Sequence, residues 1–151
     1  MSVVTLSPDE KDLYKIVFAI RQLQEGRSNR VPCKVGTFTK NMADASGNQS
    51  FTGIGFKPAA VIFFAGVQAG MGDSKGVDDG ATAGYAADDY VDTAGQQAAG
   101  TGASIVIIPA AGKSYVGKIA SMDADGFTIA WTRTSTPTGT INVAYLAIPA
   151  N

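Results

Sequence analysis

Three stretches hold residues whose types and spacing belong to known chemistry. Gly112-Lys113-Ser114 matches the end of a phosphate-binding loop, in which backbone N–H groups and a lysine cradle phosphate oxygens. That loop needs a glycine five residues before Gly112, where this chain has Ile107, and the residues that follow alternate like a strand. The tripeptide therefore reads as a turn. Gly70-Met-Gly-Asp-Ser-Lys-Gly76 is glycine-rich without dinucleotide-binding spacing or a helix pattern after it, so turn chemistry explains it. Asp123-Ala-Asp125-Gly126 starts like a calcium loop, but the further oxygen ligands and the distal glutamate are missing. A hairpin explains that stretch better.

Other chemistry is removed by composition. The 151 residues include no histidine, which excludes Ser-His-Asp and Cys-His catalysis and the commonest metal ligand. Cys33 is alone, so neither an internal disulfide nor a cysteine zinc site can form. Both glutamates, Glu10 and Glu25, fall in the first 34 residues, and no pair of carboxylates has a defined separation for acid–base work. Asp78, Asp79, Asp88, Asp89 and Asp92 offer calcium-type oxygens, yet loop acids are ordinarily solvated. The expectation is a non-enzymatic protein with no metal and no cofactor. A net charge of −1 gives no basic field for a nucleic-acid backbone. The longest apolar run, Ala59 to Val67, falls far short of the roughly 18 residues of a spanning helix, so no membrane insertion is expected. No basic stretch followed by an apolar one opens the chain, and no secretory signal is expected.

The elements that would position any site fall into two segments. Residues 1–32 read as a helical anchoring or oligomerisation segment. Ser7-Pro8-Asp9-Glu10 supplies an N-cap, a first-turn proline and a capping box, and Gly26 stops the helix. Leu13, Ile16, Val17, Ile20 and Leu23 form one apolar face, with Tyr14 and Phe18 nearly opposite. A helix with two apolar faces is expected to contact other copies or a larger assembly, although its stripe is too short for a free coiled coil. Residues 33–151 read as strands, so the fold class is mainly β: an N-terminal α-helix followed by an antiparallel β-sandwich.

Within that body, 60–64 and 104–108 are continuous apolar runs, expected of central strands covered on both faces. Phe127, Ile129 and Trp131 alternate with Thr128, Ala130 and Thr132, and Ile141, Val143 and Tyr145 point one way. Residues 65–103 stand apart: 19 of these 39 are Gly or Ala, and they hold half of the 18 glycines. The stretch reads as an excursion from the sandwich, with one strand near 84–91. Tyr85, Tyr90, Gln96 and Gln97 are its candidates for receptor or subunit contact.

Several segments of the body together carry a family resemblance. The residues that carry the resemblance are Gly36-Thr-Phe-Thr39, then Thr52-Gly-Ile-Gly-Phe-Lys-Pro-Ala-Ala-Val-Ile-Phe-Phe64. Ser121-Met-Asp-Ala-Asp-Gly-Phe-Thr-Ile-Ala-Trp131 and Val143-Ala-Tyr-Leu-Ala-Ile148 follow further on. Together they look like phage tail or fibre domains with an H-type-lectin-like six-stranded sandwich, which commonly trimerise. Leu23-Gln-Glu-Gly-Arg-Ser-Asn29 also resembles a segment of small virion proteins. The resemblance implies a virion structural protein made in a bacterial host cytoplasm: a homotrimeric fibre, spike, collar or decoration component. Its partners would be other copies of itself and other virion proteins. The alternative it leaves open is a carbohydrate-binding, receptor-recognising module whose partner is a host-surface glycan.

Overall fold

A computed structural model describes residues 15–17, 20–21, 33–68, 72–88 and 97–150. The chain divides into two units, Met1–Val31 with Asn151, and Pro32–Ala150. In the first unit, residues 15–17 and 20–21 are helical, and Ile16, Val17 and Ile20 are about half exposed. Leu13, Tyr14, Phe18 and Leu23 lie outside the described residues.

Among the described residues, the second unit has ten strands: β1 (Lys34–Asn41), β2 (Gly47–Phe51), β3 (Pro58–Val67), β4 (Asp73–Asp78), β5 (Ala83–Asp88), β6 (Gln97–Thr101), β7 (Ile105–Ala110), β8 (Lys113–Asp123), β9 (Gly126–Thr134) and β10 (Thr140–Pro149). They pair into a six-stranded sheet, β1-β10-β3-β4-β5-β6, and a four-stranded sheet, β2-β9-β8-β7. Every pairing is antiparallel. Period-two alternation turns Val61, Phe63 and Ala65 of the large sheet toward Tyr115, Ile119, Phe127, Ile129 and Trp131 of the small one, in one shared core. The arrangement is sandwich-like. Aromatic rings join the layers: Phe38 of β1 lies 4.2 Å from Phe51 of β2, and Phe63 of β3 lies edge-on to Phe127 of β9 at 5.7 Å.

Residues 73–88 and 97–101 correct one expectation. They are not an excursion from the sheets, because β4, β5 and β6 extend the large sheet beyond β3. The small residues are what permit it. Gly76 of β4 passes so close to the Ser104 carbonyl that a β-carbon has no room there. Tyr85 of β5 lies over its cross-strand partner Gly100, 3.1 Å from where a β-carbon would be. The same device recurs elsewhere, with Tyr145 over Gly36 and Trp131 over Gly117. Part of the glycine excess is therefore space for cross-strand aromatic rings. Where β5 reaches β7, Ala87, Ala103 and Val106 form a second buried cluster.

Inward-facing polar groups on β4 tie the two sheets. The Val106 N–H donates to Ser74 Oγ at 3.0 Å, and the Ile119 N–H donates to Asp78 Oδ2 at 2.8 Å. Asp78 is fully buried and also accepts the Gly80 N–H at 2.8 Å. Each bond satisfies a backbone donor that the neighbouring ladder leaves open.

Candidate functional site

Of the glycine-rich stretch 70–76 read as a turn, Asp73–Gly76 belong to β4 instead, and Gly70 and Met71 lie outside the described residues. Gly112, in a left-handed conformation at φ 68°, turns the β7–β8 hairpin. Asp123 accepts the hydroxyls of Ser121 and Thr128, each at 2.8 Å. Asp125 accepts the N–H groups of Gly53 and Gly55 at 2.9 and 2.5 Å. Those two bonds, Gly55 foremost, hold the Asp125 carboxyl below its ordinary range. Asp79 accepts the Thr82 and Ala81 N–H groups and is lowered by them in the same way. Asp78 is buried as described, while Asp89 and Asp92 lie outside the described residues. Among the described residues no group of three or more His, Cys, Asp or Glu side chains could hold a metal ion. No helix among them is long and apolar enough to cross a membrane.

The contact candidates in the Gly/Ala stretch separate. Tyr85 faces inward and packs half-buried against the Ala87–Ala103–Val106 cluster. Gln97 pairs with Asp88 through its backbone at the sheet edge, and its side chain, like Tyr90 and Gln96, lies outside the described residues.

The distinctive surface is the outward face of the large sheet. In β3 the inward Val61 and Phe63 are fully buried, as the apolar run requires. The outward side is not covered: Ile62 is partly exposed and Phe64 is 53% exposed. The expectation that this run is covered on both faces therefore fails within one chain. By contrast, Ile105, Val106 and Ile107 of β7 are all buried, because β4 and β5 close over that strand.

Register extends the uncovered side into a surface. Val35, Leu146, Ile62 and Val77 stand side by side across β1, β10, β3 and β4. The next row is Thr37, Ala144, Phe64, Lys75, Ala86 and Ala99. Ala60 and Ile148 add a further apolar pair. Val35 is 69% and Val77 48% exposed. Charges enter this face on β4, where Lys75 stands directly beside Phe64 and its Nζ lies 3.3 Å from Asp73. A hydrogen bond with Asp88, and then Lys75, hold the Asp73 carboxyl below its usual range.

The outward face of the small sheet is chemically different. Thr128, Thr132, Thr134, Ser114, Lys118, Asn48 and Ser50 occupy it, and Ser50 Oγ lies 2.8 Å from Thr128 Oγ1. Water can solvate one side of this protein, while the other presents branched aliphatic side chains. Apolar patches beyond a few hundred Å² are uncommon on monomers and mark interaction surfaces. Sequence reasoning missed this surface because its residues look like ordinary strand core; the signal was the unbroken apolar run 60–64. No known protein family, no curated protein and no solved structure matches the chain.

Proposed function

We propose that this chain is a non-enzymatic structural protein of a bacteriophage virion. In this reading it is a homotrimeric fibre, spike or collar component with an H-type-lectin-like β-sandwich body, attached to the particle through its N-terminal helix. Its partners are other copies and other virion proteins, and it takes no cofactor, nucleic acid or membrane. The observation that carries the reading is the uncovered apolar face of the large sheet, centred on Ile62 and Phe64. A strand with apolar residues on both sides belongs in a layer covered twice. Covering that face in an assembly supplies about 25 cal/mol per Å² before the entropy of association is subtracted. The exposed Ile16, Val17 and Ile20 of the helical segment support an assembly role from a separate part of the chain.

Immunogold electron microscopy of purified particles from the phage that encodes the chain tests this reading. Label at one fixed position on intact particles is the expected result. Particles without label, from lysates that contain the protein, overturn it.

A further inference from the structure

We draw no further inference here: the strongest candidate, the outward face of the six-stranded sheet around Ile62 and Phe64, is an unpartnered apolar surface with Lys75 beside Phe64, and nothing in the structure shows what covers it.

Discussion

Replacing Asp78 with alanine removes a buried acceptor that two backbone donors share. The Ile119 N–H lies in the core, with its residue 2% exposed, and donates across the sheets at 2.8 Å; the partly buried Gly80 N–H donates at the same distance. A buried donor left without a partner costs about 1–3 kcal/mol, and the lost turn bond adds about 0.5–1.5. The sum, about 2–4 kcal/mol, is a large share of the 5–15 kcal/mol typical of a domain. Trp131, the chain's one tryptophan and 2% exposed, reports unfolding by its fluorescence. With a urea slope of about 1–3 kcal/mol per M, the midpoint should fall by roughly 1–2 M. Asp78→Asn keeps one acceptor oxygen and turns an amide toward the other donor, so it should lie between wild type and alanine. An Asp78→Ala midpoint within about 0.3 M of wild type would refute the claim that this carboxyl ties the two sheets.

Gly76→Ala should destabilise by at least ~2 kcal/mol, because its β-carbon meets the Ser104 backbone carbonyl, whereas Gly47→Ala, with open space around it, should stay within about 0.5 kcal/mol by the same urea titration. Asp125 carries a pH signature. Its folded-state pKa lies below the ordinary 3.8, so its stabilisation is full above that value and fades as pH falls through the folded pKa. The melting-temperature gap between wild type and Asp125→Asn should therefore hold at neutral pH and close in strong acid; a gap independent of pH would count against the two backbone bonds.

Much of the body was legible in the sequence, because period-two alternation depends on local geometry. The hairpin at 122–126 and the inward set Phe127, Ile129 and Trp131 stand where the pattern puts them. The Gly/Ala stretch was not legible as sheet, because side chains this small carry no hydrophobic period. Their role is defined by what lies opposite, such as Tyr85 over Gly100 or the Ser104 carbonyl under Gly76. Asp78 and Asp79 are adjacent acids in one chain segment, yet one is fully buried and the other caps a turn; only the fold of β4 against β8 distinguishes them.

The sequence alone determined the mainly β class, the strand faces and the absence of histidine and cysteine-pair chemistry, since alternation and composition are properties of the chain itself. Tertiary structure decided which distant residues meet. It brought Gly53 and Gly55 onto the Asp125 carboxylate, joining two motifs about 70 residues apart. It also decided that one side of β3 is buried and the other left open. A strand with apolar residues on both sides does not itself say which side a neighbouring layer covers, because that depends on how layers stack.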